Sequence, residues 1–517
     1  MSSPSRLSGQ RLATVRIFGM VAPAFWLYGY NQSNLGGVVG FLDFTNHFPG
    51  LDAAHTEGTV KAHHATIQAT VVAIYTIGCL IGALSTMSTA NLLGRRLSLS
   101  LYAAIACIGL LLQASTFSLP QLIVGRIVTG LGVGGVNAIV PVWQSETTSP
   151  RNRGKNVIVL GTFVASGIAL AAWINFALSF HQGSSLCWRL SLGMPLVFGI
   201  PLIFTPFLFP ESPRWLVQVG RLDDAARVFG VIKGLGTDDD EVVAAVEQAR
   251  LAVRDAKEKK TPFFKLLAQK RQRNGYRLFL AFFVNFAAQM TGANAVSYYG
   301  TTIFRESLGF AAHQASMLNA CVLTWKIFAA VLAFVTIDRV GRRALLLASS
   351  SGMAFCMAML AICVSQLAHS KAAGDVAVFF LFLFMAFFPL GFLAANFLYS
   401  AEISTQELRV HSSAVGVATH WLCNFIVAEI TPICFAEIGY KTYIIFAVLG
   451  CFITPVIYFF FPETNGRTLD EIDQMFLQPK HWWSVTMYSK HFKGMDGAQV
   501  ELYDGLEKET EERVEEI

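Results

Sequence analysis

Two ionisable side chains lie in the middle of long apolar stretches of the sequence. Lys326 lies within LNACVLTWKIFAAVLAFV, and Glu429 lies within FIVAEITP. A charge at the centre of a lipid bilayer costs about 2.5–3.5 kcal/mol on insertion scales, so such residues usually have a function. Lys326 could pair with Glu429, bind an anionic substrate or carry a proton, or its ammonium could simply reach water in a cavity. His420 could titrate near neutral pH, and a packed, neutral histidine fits the sequence equally well.

The apolar stretches around these residues predict a membrane protein. Hydrophobic residues make up 54% of the chain and charged residues only 14%, against about 25% charged residues in soluble proteins. A helix needs about 20 apolar residues to cross the hydrocarbon core. Twelve stretches qualify: 17–42, 66–88, 97–116, 121–142, 156–178, 189–209, 276–302, 313–336, 344–366, 376–401, 411–434 and 441–461.

Basic residues concentrate in alternate short loops between these predicted spans. They follow the second, fourth and eighth spans as Arg95, Arg96, Arg151, Arg153, Lys155, Arg339, Arg342 and Arg343. Loops rich in lysine and arginine remain in the cytoplasm, so twelve spans place both termini inside. The net charge of +5 reflects this asymmetry and indicates no nucleic-acid-binding patch.

The sequence repeats itself once. GRRLSLS after the second span matches GRRALLL after the eighth, and PESPRW after the sixth span matches PETNGR after the twelfth. A repeat of six spans around a central polar segment is typical of transporters whose halves rock about a site at mid-membrane. The predicted domains are a cytoplasmic N-terminus, a six-helix bundle, a cytoplasmic helical linker, a second six-helix bundle and an acidic cytoplasmic tail, at 1–16, 17–209, 210–275, 276–461 and 462–517.

Acidic and basic residues recur together at the cytoplasmic helix ends. The candidate partners are Glu146 with Arg95, Arg96 or Arg153, and Glu402 with Arg342, Arg343 or Arg409. Charge-assisted pairs of this kind could latch the halves in the outward-open state and break when the inside opens. Alternatively, they anchor the helix ends in the headgroup layer.

Six motifs in order resemble the sugar porter family of the major facilitator superfamily. They are GRIVTGLGVGG, PVWQSE, PESPRW, TGANAVSYY, DRVGRR and PETNGRT, and the resemblance extends from about residue 17 to 475. PVWQSETTSPRNRG and HWLCNFIVAEITP are most similar to fungal members. The resemblance implies an all-α integral membrane protein with twelve transmembrane helices in two bundles, which carries a sugar across the plasma membrane by alternating access. It implies a monomer in the bilayer, with no cofactor, metal or enzymatic step.

The resemblance places the sugar against the second bundle. The family usually carries QQxxGxN and a tyrosine pair in span 7; here Gln289, Asn294, Tyr298 and Tyr299 remain, whereas Ala288 replaces the first glutamine. An amide can both donate to and accept from neighbouring hydroxyls, which suits a sugar. Hydrogen bonding between helices is the alternative role for both amides.

Spans 8 and 11 add three candidate contacts with the substrate. Lys326 stands where the family often has an asparagine that faces the sugar. Trp421 and Asn424 match the Trp and Asn of span 11. Trp421 could pack on a C–H face of the sugar, or it could be an ordinary packed aromatic residue.

Two further departures from the family pattern count against glucose as the substrate. In span 10, residues 394–397 read AANF in place of Pro-x-Pro-Trp. This change should straighten a helix that proline normally kinks, and Phe397 replaces a tryptophan that could donate its N–H. In span 5, Gly161 occupies the position of a glutamine.

The motif GYN at residues 29–31 bears on the mechanism. Proton-coupled sugar porters have GYD, and protonation of that aspartate releases an arginine of span 4, here Arg126. The resemblance therefore predicts facilitative uniport, because the amide of Asn31 cannot change charge with pH. A proton symporter that uses Lys326, Glu429 or His420, including one for a disaccharide or sugar acid, is the alternative. A non-transporting sugar sensor is a second alternative, disfavoured because sensors in this family usually have a long tail.

Overall fold

The described part of the chain is helical throughout. The computed structural model describes residues 9–54, 56–147, 153–181, 183–258, 263–267, 272–393, 395–405, 407–479 and 481–491. Eleven helices in this part are long and apolar enough to cross a membrane. One of them, Gly58–Ala114, has 57 residues and a non-helical backbone at Gly94, with φ 82° and ψ 178°. It therefore comprises two spans, and the predicted all-α fold with twelve transmembrane helices is confirmed.

The first half contains α1 to α6. Their bounds are Arg11–Val38 for α1, 58–93 for α2, 95–114 for α3, Leu119–Glu146 for α4, Arg153–Leu178 for α5 and Leu186–Leu208 for α6. The second half contains α7 to α12. Their bounds are Asn274–Ser307 for α7, Ala312–Val340 for α8, Arg342–Ser365 for α9, Ala372–Gly391 with its continuation Ala395–Glu402 for α10, Arg409–Ile438 for α11 and Lys441–Phe460 for α12.

Short amphipathic helices occupy the segment between the halves. They are Pro213–Gln218, Leu222–Lys233, Asp240–Glu258 and Phe263–Leu267. The Ser212 side chain accepts a hydrogen bond from the Trp215 backbone N–H and so caps the first of these helices. Leu216, Ala225 and Ala249 bury their side chains together. The helices expected at 210–275 thus form a small apolar core of their own.

The segment after α12 packs more closely than the sequence indicates. The helix Leu469–Leu477 begins with a capping box between Thr468 and Glu471. Its Met475 and Phe476 are fully buried in the core of the second half, and Asp473 lies 2.5 Å from the Arg277 guanidinium. Residues 462–491 therefore extend the second half, whereas the acidic residues 492–517 lie outside the described part.

Two spans of the second half are broken. In α7, Gly292 has φ 86° and separates the helix that ends at Met290 from the helix that begins at Ala293. The expected straightening of α10 is wrong, because this helix stops at Gly391 and resumes at Ala395. Pro389 and Gly391, which are both poor helix formers, lie directly before the break. Ala394 lies outside the described residues.

The two halves contact each other through helix pairs that run alongside one another. Between α1 and α7, the Ser33 hydroxyl donates to the Ser297 carbonyl at 3.0 Å. Between α5 and α8, the Trp173 indole N–H donates to the Thr324 hydroxyl at 2.9 Å. Trp421 of α11 is buried within the apolar cluster of the first half. These contacts enclose a polar layer between the halves.

Candidate functional site: a polar layer between the two halves

A chain of amides crosses the interface between the halves at the break in α7. The Gln32 amide donates to the Asn294 carbonyl oxygen at 3.2 Å, and the Asn294 amide donates to the Gln289 carbonyl oxygen. The Gln289 amide nitrogen lies 2.8 Å from Nδ1 of His420. Because Gly292 interrupts the helix, Gln289 and Asn294 lie on either side of the break and still meet. Gln32, Gln289 and Asn294 are at most 6% exposed.

The tyrosine pair joins α7 to α11. The Tyr298 hydroxyl donates to the Asn424 side-chain oxygen at 2.9 Å. The Tyr299 hydroxyl donates to the Ala428 carbonyl at 2.8 Å. Asn424 is fully buried, and its amide nitrogen has no hydrogen-bond partner. A buried N–H donor without an acceptor costs free energy, so this N–H is available to donate to an acceptor atom of a bound molecule.

Aromatic rings border the amide chain. The Trp421 ring is 5.6 Å from the Tyr28 ring of α1, in an edge-on arrangement across the two halves. The His420 ring is 5.1 Å from Phe397, which is 37% exposed, whereas Trp421 is 1% exposed. Trp421 therefore packs between the halves in this state, and Phe397 lies at a more open edge of the layer.

Lys326 lies within this polar layer and is only 1% exposed. Its ammonium donates to the Ser297 hydroxyl at 3.3 Å. The same nitrogen lies 5.0 Å from the centre of the Phe388 ring, a cation–π contact. Ser297 lies one turn after Asn294, so the ammonium is positioned beside the amide chain.

Asn31 and Arg126 each bond to backbone carbonyls. The Asn31 amide donates to the Leu27 carbonyl of its own helix at 2.8 Å. The Arg126 guanidinium donates to the carbonyls of Val71 and Val72, at 3.2 and 2.7 Å, and lies 4.6 Å from the Tyr75 ring centre. Asn31 and Arg126 are 3% and 2% exposed, respectively. The arginine is thus held by carbonyl oxygens and an aromatic face.

Glu429 joins the halves at a different place from Lys326. Its carboxylate accepts a hydrogen bond of 2.7 Å from the Thr70 hydroxyl of α2. The second carboxylate oxygen is buried and has no hydrogen-bond partner. The possible ion pair between Lys326 and Glu429 is not formed. The lysine ammonium bonds to Ser297 and the glutamate carboxylate bonds to Thr70.

One end of the helices carries the arginines of the repeated GRR motif, and we call it the Arg-rich end. In the first half, the Arg95 guanidinium donates two hydrogen bonds to the Glu146 carboxylate, at 2.8 and 2.9 Å. The backbone N–H groups of Arg95 and Arg96 donate to the Glu211 carboxylate, at 3.0 and 3.1 Å. Gly94 makes this approach possible, because a Cβ there would lie 2.8 Å from that carboxylate.

The second half repeats this arrangement. The Arg342 guanidinium donates to the Glu402 carboxylate at 3.1 Å. The backbone N–H groups of Arg342 and Arg343 donate to the Glu463 carboxylate, at 2.9 and 3.0 Å. Gly341 lies where Gly94 lies in the first half, with φ 96° and a Cβ position 2.7 Å from Glu463. The sequence repeat thus produces one local structure twice.

These ion pairs connect helices within one half and do not bridge the two halves. The side chains of Arg96 and Arg343 donate to the backbone carbonyls of Phe207 and Tyr458, both at 2.6 Å. Arg409 begins α11 at the same end. The side chain of Arg153 lies outside the described residues. A gating role for these pairs would therefore act through the shape of each half.

Sequence reasoning missed several polar residues of the site. Gln32 follows Asn31 directly, and a second amide in an apolar stretch was the available signal. Towards the Arg-rich end, the Asn396 amide donates to Asn285 at 3.0 Å, and the Asn285 amide donates to the Ser400 hydroxyl at 3.1 Å. Asn396 is adjacent to Phe397, which the sequence indicates as a candidate contact with the substrate, and Asn396 is the more deeply buried of the two. Among the described residues, no group of acidic, histidine or cysteine side chains could hold a metal ion.

An open cleft lies between the halves at the end opposite the Arg-rich end. Gly36 and Gln68 line it from the first half, and Thr302, Glu306 and His313 line it from the second. Deeper along the same two helices, α1 and α7 touch where the Ser33 hydroxyl donates to the Ser297 carbonyl. The polar layer therefore lies beneath a closed contact at this end.

Comparison with known proteins places the chain in a family. Residues 18–476 match the family described as "Sugar (and other) transporter". The sugar transporter STL1 of Saccharomyces cerevisiae is 33% identical over 476 residues, covering 91% of this chain and 82% of that protein. A quinate permease of Neurospora africana is 29% identical over 473 residues, covering 87% of this chain and 86% of that protein.

A solved structure shows the same fold. The xylose transporter XylE of E. coli, in a partially occluded inward-open conformation, superposes with a TM-score of 0.71 at 21% identity. The match covers 87% of this chain and 99% of that chain. The predicted family is confirmed, and its members carry molecules across membranes without an enzymatic step. The chain belongs to the sugar (and other) transporter family of the major facilitator superfamily and is a multi-pass membrane protein of that fold.

Proposed function

We propose that this protein carries a small polyhydroxylated molecule across the plasma membrane by facilitative alternating access, with the Arg-rich end and both termini in the cytoplasm. The observation that carries the proposal is the buried amide chain of Gln32, Asn294 and Gln289 between the halves. Amide side chains both donate and accept hydrogen bonds, so the hydroxyls of a substrate can take the place of the hydrogen bonds that the amides make to one another. A site at mid-membrane between two bundles is where rocking transporters bind their cargo.

The names of the relatives suggest two kinds of cargo. One relative is named as a sugar transporter and another as a quinate permease, and quinate is a cyclic polyhydroxylated carboxylate. Both kinds of molecule present vicinal hydroxyls to amides. The aromatic ring of Trp421 beside the layer suits the C–H face of either. Gln289, Asn294, Tyr298, Trp421 and Asn424 are the proposed contacts.

The proposed mechanism is uniport because α1 offers, at residue 31, no group that changes charge with pH. The amide of Asn31 is neutral at all pH values of interest, and Arg126 is held by carbonyls and Tyr75. Neither side chain forms an ion pair among the described residues. A proton therefore has no carboxylate to bind beside Arg126.

The ion pairs at the Arg-rich end have a proposed supporting role. The two arginine clusters, Arg95 with Glu146 and Arg342 with Glu402, tie neighbouring helix ends of each half into a rigid unit. Alternating access requires that each half moves as a body. The pairs would keep the cytoplasmic ends of each half in one shape while the halves rock.

The test is uptake by the purified protein in proteoliposomes, with labelled sugars, polyols and sugar acids, with and without an inward proton gradient. We expect uptake of at least one of these compounds down its gradient, unchanged by the proton gradient. Asn31→Asp should make uptake depend on pH, because it restores the carboxylate that proton-coupled members of the family pair with the arginine at position 126. Gradient-driven accumulation by the unmodified protein would refute uniport.

Proton symport through Glu429 is the second candidate mechanism. The observation that favours it is the unpartnered carboxylate oxygen of a residue that bonds across the halves to Thr70. If accumulation is gradient-driven, Glu429→Gln should abolish the gradient effect and leave exchange of labelled for unlabelled cargo intact. His420→Gln is the matched variant for the alternative carrier.

A further inference from the structure

We infer that the cargo carries a carboxylate and that Lys326 binds it. The inference rests on the proposed transport function and narrows the substrate class to polyhydroxylated monocarboxylates, such as sugar acids. It is carried by the distribution of charge around the polar layer. The hydroxyl contacts proposed above do not depend on it.

Two buried cations of the described residues have no acidic partner, Lys326 in the polar layer and Arg126 of α4 in the first half. Lys326 and Arg126 are 1% and 2% exposed. Neither forms an ion pair among the described residues, where the nearest named partners are Ser297 for the lysine and two carbonyls for the arginine. The buried acid Glu429 of α11 accepts a hydrogen bond from Thr70 on α2 and forms no ion pair with either cation among the described residues. A lone buried charge is costly, so such a site favours an anion that completes it.

The ammonium of Lys326 has capacity for a ligand. It carries three N–H donors, and one of them meets the Ser297 hydroxyl. That hydroxyl in turn donates to the Ala293 carbonyl at 2.9 Å, so it presents a lone pair to the lysine. Phe388 offers only its ring face. The remaining N–H donors can therefore bind a carboxylate.

A second buried donor between the halves also lacks an acceptor. The Asn424 amide nitrogen is buried and unpartnered, while its oxygen accepts from Tyr298. Its partner Tyr298 and the lysine's partner Ser297 both belong to α7, on the second-half side of the polar layer. Unused donors on α8 and α11 match a ligand rich in acceptor oxygens. A carboxylate supplies two oxygens, each with two lone pairs.

The matched ligands are D-gluconate and D-glucitol, which differ at one terminal carbon: a carboxylate in the first and a hydroxymethyl group in the second. Each is added as a competitor of uptake of a labelled sugar or sugar acid in proteoliposomes. We expect gluconate to compete at a concentration about tenfold or more below that of glucitol, because hydrogen bonds to charged groups are the stronger ones. Gluconate that competes no better than glucitol would overturn the inference.

The variants separate charge from packing. Lys326→Met keeps the length and removes the charge, and it should reduce the ratio of the two competition constants to about one. Lys326→Arg should keep a preference for gluconate. Lys371→Met, at an exposed lysine at the start of α10, is the control and should behave as the unmodified protein. Equal weakening of both ligands by Lys326→Met would assign the lysine a structural role and refute the inference.

The membrane potential provides a readout that does not depend on affinity. Uniport of a monovalent anion moves one negative charge, so an inside-positive potential of about 60 mV should drive about tenfold accumulation of gluconate. Glucitol uptake should not respond. Accumulation of gluconate that follows a proton gradient instead would support the carboxylate cargo and refute only uniport. Uptake of neutral sugars alone, unaffected at Lys326→Met, would refute the inference and leave the proposed function intact, whereas no uptake of any compound would refute the proposed function.

Discussion

Substitution of Gly36 by alanine tests whether the contact between α1 and α7 must close during transport. A Cβ at Gly36 would lie 1.7 Å from the backbone oxygen of Tyr298 in the other half. Contacts of a Cβ below 3.0 Å are essentially never seen, so the two helices would have to separate by about 1.3 Å. The atom in the way is the Tyr298 carbonyl oxygen, and a backbone atom cannot move aside as a side chain can by changing its rotamer.

The expected penalty falls only on states in which the end opposite the Arg-rich end is closed, the end proposed to be external. Overpacking at a tight contact costs about 1–3 kcal/mol, which changes a population by about 5- to 150-fold. Gly36→Ala should therefore lower the maximal uptake rate at least about fivefold, while cargo still binds from the outside. Gly19→Ala is the matched control on the same helix, because its Cβ would meet the Phe209 ring at an ordinary 3.5 Å.

The assay combines uptake with external labelling. Thr302→Cys places a thiol in the cleft opposite the Arg-rich end, in a background where the three cysteines that are not buried, Cys321, Cys434 and Cys451, are replaced by serine. We expect Gly36→Ala to increase its reaction with a membrane-impermeant maleimide, and Gly19→Ala to leave it unchanged. A Gly36→Ala protein with normal uptake and normal labelling would show that α1 and α7 never approach this closely during the cycle.

Two further substitutions probe the ion pairs and the amide layer. Glu146→Gln should lower the midpoint of thermal unfolding and the uptake rate, because Arg95 is only 8% exposed and removal of one partner of a buried ion pair costs about 3–5 kcal/mol. An unchanged midpoint of thermal unfolding in detergent would contradict this prediction. Tyr298→Phe should weaken cargo binding about 5- to 150-fold, because a cargo hydroxyl that bonds to the Tyr298 hydroxyl would lose its buried partner at a cost of about 1–3 kcal/mol. An unchanged half-saturation concentration for uptake would place the cargo away from Tyr298.

The sequence was sufficient for the fold because the bilayer imposes a length and composition that each span must satisfy. It was insufficient for breaks within spans, where local backbone geometry decides. Residues 394–397 lack the prolines of the family pattern, yet α10 still breaks between Gly391 and Ala395. The sequence also did not predict which residues Lys326 and Glu429 contact, because the rotation of each span about its axis depends on packing against the other half.

The amide at residue 31 and the lysine at residue 326 have a joint effect on charge. The family resemblance implies an aspartate at the first position in proton-coupled members and often an asparagine at the second. Having Asn31 and Lys326 instead raises the charge of the polar layer by two units, one for each position. On the proposed mechanism, Asn31 therefore provides no proton switch, and Arg126 has no acidic partner among the described residues.

An anionic cargo would supply the missing negative charge each time it binds. The empty transporter contains these two buried cations, and the loaded polar layer would contain a partner for the lysine within hydrogen-bond range of α7 and α8. Because electrostatic attraction is strong where water is excluded, closure around the bound anion should be favoured over closure around an empty site. In such a transporter the cargo itself, in place of a proton, changes the charge state that accompanies the movement of the two halves.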